Sequence, residues 1–222
     1  MNYLNEFKKM HDENKISDKI FEFVYGCAMH DAILQRAFNG EKRWISNIDG
    51  AKTAVKNYMD SLLKKEVADQ EQHDKIFLET THNVCREINS YPEKPSSVSA
   101  VFSFGNAQKL INITVKHFYS MRYYDCSATN IFRFCHCPMD RIMLENVWDF
   151  YAEFEGCDNK KRKQDLGNDF LNPWGREDFE FIEGKIDFPK RYLIYQRIVK
   201  KWAQKVGCIP IEFDFYFWNM KR

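Results

Sequence analysis

The strongest constraint on the fold is a series of segments in which apolar side chains recur every three or four residues. One segment runs from about Ser17 to Phe38, a second starts near Asp49, and a third covers about 70–88. The clearest runs from Phe188 to Val206 and is followed by Gly207, a residue type favoured just past helix ends. Because this spacing places the apolar residues on one face of a helix, the pattern predicts an all-α chain.

The middle of the chain is expected to add two more helices. One spans about Gly105 to Tyr124, and the other begins at Pro138, since proline is favoured in the first helical turn. Residues 89–99 and 156–175 contain glycine, proline or many polar residues, so we expect a connection in the first case and a long loop in the second. The aromatic tail at 209–218 alternates like a strand but has no evident partner, and it predicts a short final helix or an extended cover.

Composition limits the class of protein. With 222 residues and 44% hydrophobic residues, the chain can bury the core of a single unit covering 1–222. No run approaches the roughly 18–20 apolar residues that a membrane span needs, and residues 1–15 lack a signal peptide's apolar centre. We therefore expect a cytoplasmic protein with no membrane partner. Seven cysteines without a regular spacing indicate reduced thiols.

The charge balance does not by itself indicate a nucleic-acid partner, because the formal net charge is only +1. Two basic clusters could supply local attraction for DNA: Lys160–Lys163, and a series of lysines and arginines between 190 and 205. Each cluster alone is more typical of a solvated helix face or loop.

The segment around Lys109 carries the first chemical signal. Gly105 and Ala107 precede Lys109 at intervals of two residues, which predicts a tight turn that leads into a helix. Small residues at such a turn let a phosphate approach the backbone N–H groups of the helix start. A lysine in the first helical turn would then lie beside a bound DNA backbone, although such a lysine is usually only a solvated charge.

The second signal is the segment His136–Asp140. Pro138 is expected to start a helix, which places Asp140 in the first turn, where the helix dipole stabilises a carboxylate. On its own, an aspartate at this position is an ordinary helix N-terminal charge.

Together the two segments resemble the helix-hairpin-helix DNA glycosylases. The family pattern Gly-x-Gly-x-Lys-x-x-Asn matches Gly105, Ala107, Lys109 and Asn112, with alanine in place of the second glycine. Pro-x-Asp, ending at Asp140, resembles the second family signature, Pro-Val-Asp. The 31 residues from Lys109 to Asp140 are closest to the archaeal 8-oxoguanine branch. Ser103-Phe104 departs from the family's usual Leu-Pro.

The resemblance implies a two-lobed helical bundle whose hairpin and catalytic core occupy about 99–152. It implies a bifunctional DNA glycosylase/AP lyase that flips a modified base out of double-stranded DNA. Lys109 would form a Schiff base with the sugar, and Asp140 would be the assisting carboxylate. We further expect a monomer that is associated with the nucleoid and needs no cofactor.

The resemblance also implies roles for other residues. Gln35, Asp214 and Trp218 would recognise the flipped base. The DNA backbone would be bound by Gly105, Ala107, Lys116 and His136, and a structural role for His136 is equally open. The iron–sulfur loop of the endonuclease III branch is absent. Cys126, Cys135, His136 and Cys137 lack the usual zinc spacing, so we predict no metal.

Two other functions remain open at this stage. The chain could be a non-catalytic DNA-binding module that keeps the lysine helix for phosphate contact only, or a helical interaction domain in which the lysine and aspartate are coincidental. Within the enzyme interpretation, the base could be 8-oxoguanine or a hypermodified phage base. The role could therefore be DNA repair or phage defence.

Overall fold

The computed structural model describes residues 16–32, 48–64, 66–92, 101–121, 132–166, 181–182, 185–186 and 190–220. Eight helices lie within these ranges: α1 (Asp18–Ala32), α2 (Asp49–Leu63), α3 (Gln70–Asn89), α4 (Phe104–Met121), α5 (Arg141–Glu155), α6 (Asn159–Leu166), α7 (Lys190–Lys205) and α8 (Pro210–Met220). Two short strands, β1 (Phe181–Ile182) and β2 (Lys185–Ile186), pair antiparallel. The prediction of an all-α chain is confirmed. This short hairpin, with two residues in each strand, is the one pair of strands in the described ranges.

The helices pack around one connected apolar core. Helix α4 packs against α1 and α3, and α3 also packs against α2. Helices α5 and α7 pack against each other, and both contact α6 and α8. Tyr192 of α7 joins the two groups, because its ring contacts Phe104 of α4 and Phe77 of α3. None of the described helices combines the length and the apolar character that a bilayer crossing requires. The two-lobed glycosylase type stays a prediction.

Helix α5 begins later than the sequence predicted. The predicted start at Pro138 is wrong, because Asp140 is the N-cap and the helix begins at Arg141. Aspartate is a preferred N-cap because its side chain accepts a hydrogen bond from the free N–H groups of the first turn. Here the carboxylate accepts from the Met143 N–H at 2.9 Å. At the other end, Gly156 closes the helix in the left-handed region, at φ 63°.

The loop predicted over 156–175 is partly helical instead. Helix α6 occupies Asn159–Leu166, and Asp158 caps it by accepting a hydrogen bond from the Lys161 N–H at 2.9 Å. Lys161 also pairs with Asp165 one turn later, at 2.9 Å. The high charge of this segment suggested a loop, but the run contains no proline or glycine, is capped by Asp158, and buries Leu166 in the core.

The aromatic tail forms the short final helix, α8, as predicted. Phe213 and Phe217 are fully buried in the core, whereas Phe215 is 38% exposed on the opposite side of the helix. Helix α7 ends at Lys205, and Gly207 follows it as predicted, with a left-handed φ of 78°.

Candidate active site

Lys109 and Asp140 face each other across the contact between α4 and the start of α5. The Lys109 Nζ atom lies 3.9 Å from Asp140 Oδ2, and each side chain is 27% exposed. This distance is an ion-pair contact and is too long for a hydrogen bond. Two residues far apart in the sequence therefore meet at the surface, where a ligand can reach both.

The two carboxylate oxygens of Asp140 have different partners. Oδ1 accepts the N-cap hydrogen bond from Met143, whereas Oδ2 faces the Lys109 ammonium. Because the hydrogen bond from Met143 fixes Oδ1, the orientation of the carboxylate is set, and Oδ2 is held towards the lysine. The helix dipole at this end also stabilises the negative charge.

The residues before Lys109 lie differently from the predicted turn. Helix α4 begins at Phe104, so Gly105 lies inside the first helical turn and Lys109 lies in the second turn. Ser103 precedes the helix, and its carbonyl accepts from the Ala107 N–H at 3.0 Å. Ala107 is fully buried, and this conformation does not present it to a phosphate. Gly105 is half-buried at the helix start, where free N–H groups could contact an anion.

Lys116 and Asp214 form a second ion pair. Lys116 Nζ contacts Asp214 Oδ2 and also lies 4.3 Å from the centre of the Phe215 ring. The side chain of Asp214 is only 8% exposed, while that of Lys116 is 21% exposed. The structure thus brings together a residue predicted to bind the DNA backbone and one predicted to recognise the base. The Lys116 ammonium is thus held by Asp214 within the protein.

This second pair gives a stability prediction. We expect Asp214→Asn and Lys116→Met each to lower the free energy of unfolding by about 2 kcal/mol, because each removes one charge of a partly buried ion pair. The double variant should lose clearly less than the sum of the two single losses. Urea unfolding of the four proteins measures this coupling. Additive losses would show that the pair does not interact in solution.

His136 lies inside a buried polar network. Its Nε2 atom is 2.9 Å from Asp74 Oδ1, and its Nδ1 atom is 2.9 Å from the Tyr192 hydroxyl. The side chain is only 4% exposed, so both ring nitrogens are used within the protein. The structure therefore favours the structural role for His136 over contact with a phosphate.

The carboxylate of Asp74 is the centre of this network. Besides the contact with His136, Asp74 Oδ1 lies 3.2 Å from the Nδ1 atom of His73. It also accepts a hydrogen bond from the side-chain amide of Gln70 at 2.7 Å. Burial acts to raise the pKa of Asp74, but the hydrogen bonds from the two histidines outweigh it and hold that pKa well below its usual value. For His73, desolvation by complete burial lowers the pKa to about 4. At neutral pH, Asp74 is thus charged and His73 is neutral.

The same three residues could hold a metal ion. His73, Asp74 and His136 bring three ligand atoms within 4.8 Å of one another. However, the Gln70 amide nitrogen donates directly to Asp74, and Lys200 donates to the Gln70 oxygen at 2.8 Å. A metal bound at Asp74 Oδ1 would compete with this amide and would lie near a lysine charge. Both histidines and Gln70 already contact that one oxygen.

The buried histidine makes stability sensitive to acid. In the unfolded chain, His73 takes up a proton below about pH 6.5, whereas in the native protein it does so only near pH 4. The unfolded state therefore binds more protons in this window, and stability falls as the pH falls. We expect a loss of about 3 kcal/mol between these two pH values, followed by a further loss at lower pH as Asp74 is protonated.

Urea unfolding at a series of pH values measures this dependence. His73→Asn, which has no titrating ring, should show a much shallower dependence between pH 6.5 and 4 than the wild type. An unfolding free energy of the wild type that stays constant over this range would contradict the buried, neutral state of His73.

Several predicted residues are not placed. Gln35 and Cys126 lie outside the described residues, and Trp218 lies on α8 with a side chain that the structure does not describe. The thiols of Cys135 and Cys137 are both buried and free, and burial raises the pKa of Cys135 to about 12. Neither thiol is among the ligand atoms grouped around Asp74.

The two basic clusters are partly engaged within the protein. On α6, Lys161 pairs with Asp165, and Arg162 stacks over Trp148 at 4.5 Å. On α7, Lys200 donates to Gln70 and Lys201 pairs with Glu155. A cavity of about 120 Å³ lies between α7 and the Asp74 network, and Lys200 and Arg197 are among its lining residues. Neither Lys109 nor Asp140 lines this cavity.

Sequence reasoning missed the residues that hold the segment before Asp140. Gln108 and Gln196 are buried, and their side-chain amides bond to the backbone of Met139 and Cys137. A usable signal was present, because Gln108 and Asn112 are polar residues at inward positions of an otherwise apolar helix face. Buried polar groups need partners, so such positions indicate specific contacts.

Comparison of the chain with models of known protein families, with curated proteins and with solved structures finds no match. The resemblance to helix-hairpin-helix glycosylases therefore depends on the residues around Lys109 and Asp140, and what it implies about activity is a proposal.

Proposed function

We propose that this protein is a DNA glycosylase/AP lyase that excises a modified base from double-stranded DNA. The observation that supports this most is the placement of Lys109 Nζ at 3.9 Å from Asp140 Oδ2, with both groups partly open to solvent. An amine nucleophile beside a carboxylate is the pair that Schiff-base chemistry at a sugar requires. Neither residue would be distinctive without the other.

Asp140 and Lys109 would divide the reaction between them. Asp140 takes a proton from the Lys109 ammonium, and the contact tightens as substrate closes the site. The free amine attacks C1′ of the sugar while the bond from C1′ to the base breaks. The electrons of that bond leave with the base, and the proton held by Asp140 passes to the base as the bond breaks. Asp140 thereby becomes a carboxylate again and stabilises the positive charge that develops on the sugar.

The lyase step follows from the covalent intermediate. One of the two remaining nitrogen protons passes to the ring oxygen O4′ as the sugar ring opens, and this leaves a protonated imine between Lys109 and C1′. Loss of a proton from C2′ then expels the 3′-phosphate by β-elimination and cuts the strand. A water nucleophile would stop at the abasic site, so the lysine predicts both activities.

In this proposal, the second ion pair, Lys116 with Asp214, binds the flipped base. Lys109 and Lys116 lie two turns apart on α4, which is about 10 Å along the helix. A nucleotide with its sugar at Lys109 would extend towards Asp214 and the exposed ring of Phe215. A carboxylate, an ammonium and an aromatic ring offer an acceptor, a donor and a stacking surface for a flipped base. These groups suit 8-oxoguanine or a hypermodified base, in repair or in phage defence.

A panel of duplexes tests the proposal. Each duplex carries one modified base, 8-oxoguanine and glucosylated or hydroxymethylated cytosine among them, and the release of free base is measured by mass spectrometry. We expect release from at least one duplex, accompanied by strand incision. Binding at low salt without release would favour the non-catalytic DNA-binding module, and the absence of binding would favour the interaction domain.

A further inference from the structure

Two buried glutamines hold the segment that carries Asp140. The Gln108 side chain donates to the Met139 carbonyl at 2.7 Å and accepts from the Met139 N–H at 3.3 Å. The Gln196 side chain donates to the Cys137 carbonyl at 2.8 Å and accepts from the Cys137 N–H at 3.0 Å. Each amide thus pairs with both backbone groups of one residue, in the manner of a neighbouring strand.

These contacts satisfy the backbone N–H and carbonyl groups of both clamped residues. Pro138, between them, has no N–H to donate, and its carbonyl lies 3.8 Å from Cys137 Sγ. Cys137 and Met139 are 0% and 2% exposed, so water does not compete for their backbone groups. The two glutamines come from different helices, α4 and α7, and approach the same three-residue stretch. The stretch is therefore fixed to both helices just before Asp140.

Gln108 is itself held by further contacts. Its oxygen accepts from the Asn112 amide at 3.1 Å, and its nitrogen donates to the Gly105 carbonyl at 3.0 Å. Asn112 contacts the Tyr192 hydroxyl at 3.3 Å, and Tyr192 contacts His136, which leads to Asp74. A continuous chain of buried hydrogen bonds thus connects the clamp to a charged carboxylate. Such chains hold their members in a single orientation.

We propose that Gln108 and Gln196 are positioning residues that set the distance between Asp140 and Lys109. Gln108 precedes Lys109 in the chain, so one residue links the nucleophile's helix directly to the carboxylate's segment. Only the expected effect of the glutamines on the reaction rate rests on the proposed function. The clamp itself is a structural statement that can be tested without DNA.

The test uses Gln108→Met and Gln196→Met, which keep the length of the side chain and remove its hydrogen bonds. Thr114→Val is the matched control, because Thr114 is fully buried on the helix that carries Gln108 and its hydroxyl donates within that helix, to the Leu110 carbonyl at 2.8 Å. The two glutamine variants act from different helices, so either one tests the clamp if the other fails to fold.

The first readout is amide hydrogen exchange at Met143, whose N–H is protected by the Asp140 carboxylate. We expect at least about tenfold faster exchange at Met143 in both glutamine variants. The Gln72 N–H, capped in the same way by Asp69 at another helix, should be unchanged. Met143 exchange at the wild-type rate in the folded glutamine variants would overturn the proposal.

The second readout is the rate of borohydride-trapped adduct formation on a duplex with an abasic site, measured across pH. We expect a loss of about 10- to 100-fold, a displaced pH profile and unchanged DNA affinity in the glutamine variants, because a misplaced catalytic group costs about this much. Thr114→Val should keep the wild-type profile. Equal effects in all three variants would show that the glutamines contribute only to general stability, and this result would overturn their positioning role. If the wild type forms no adduct, the proposed function fails and Met143 exchange alone decides the clamp.

Discussion

Replacing Lys109 with glutamine should abolish the covalent adduct with an abasic duplex, a loss of at least about 10³-fold in rate. The amide of glutamine has no nucleophilic electron pair, so neither C1′ attack nor the protonated imine can form. The fold should be almost unaffected, because the pair with Asp140 is loose and partly exposed, and such pairs contribute less than about 1 kcal/mol. Trapping with borohydride and thermal unfolding measure the two effects separately.

Lys64→Gln is the matched control for this experiment. Lys64 also forms a loose ion pair, with its Nζ atom 4.0 Å from Glu66 Oε1, and it lies at the end of α2. The control removes the same charge and the same kind of contact, and it should trap at the wild-type rate. Undiminished trapping by Lys109→Gln would rule out Lys109 as the nucleophile.

Replacing Asp140 with asparagine should slow the reaction by at least about 100-fold while leaving the fold and DNA binding intact. Asparagine keeps the oxygen that caps α5, but it removes the charge that faces Lys109. In the proposed reaction, the Asp140 carboxylate accepts the lysine proton and stabilises the developing cation. Each contribution raises the reaction rate by about 100-fold or more. Single-turnover base release and DNA affinity are the measurements.

The alanine variant separates the cap from the charge. Asp140→Ala should lose activity as severely and should also lower the free energy of unfolding by about 1 kcal/mol, because the cap is gone. Asp69 is the matched control, since it caps α3 through an equivalent hydrogen bond to the Gln72 N–H at 2.8 Å. Asp69→Asn and Asp69→Ala should repeat the stability pattern at full activity. An active Asp140→Asn enzyme would contradict the catalytic role.

Much of the helical fold was predictable because it follows from local patterns. The apolar spacing of α2, α3 and α7 needs no tertiary information, and Gly207 marks an end by its conformational freedom. The start of α5 was mispredicted because a proline and an aspartate both favour a helix start, and tertiary contacts decided between them. The clamps on Cys137 and Met139 hold that segment outside the helix, which begins after Asp140.

The site was predictable only in part. Lys109 and Asp140 were identified by their motifs, and the structure brings them together. The pairing of Lys116 with Asp214 was not predicted, because it joins residues 98 positions apart on two different helices. The burial of His136 was not predictable either, because its partners are Asp74 and Tyr192 and no local sequence pattern connects them to it. Contacts of this kind arise from packing between helices and leave no signature in a single segment.

In the proposed reaction, Lys109 is the residue that becomes covalently attached to the sugar. This attachment is tested by incubating the wild-type protein with a duplex that carries an abasic site, reducing with borohydride, digesting, and locating the added sugar by mass spectrometry. We expect the added mass to lie on Lys109. An adduct on Lys116, on the N-terminal amine or on no residue would contradict it.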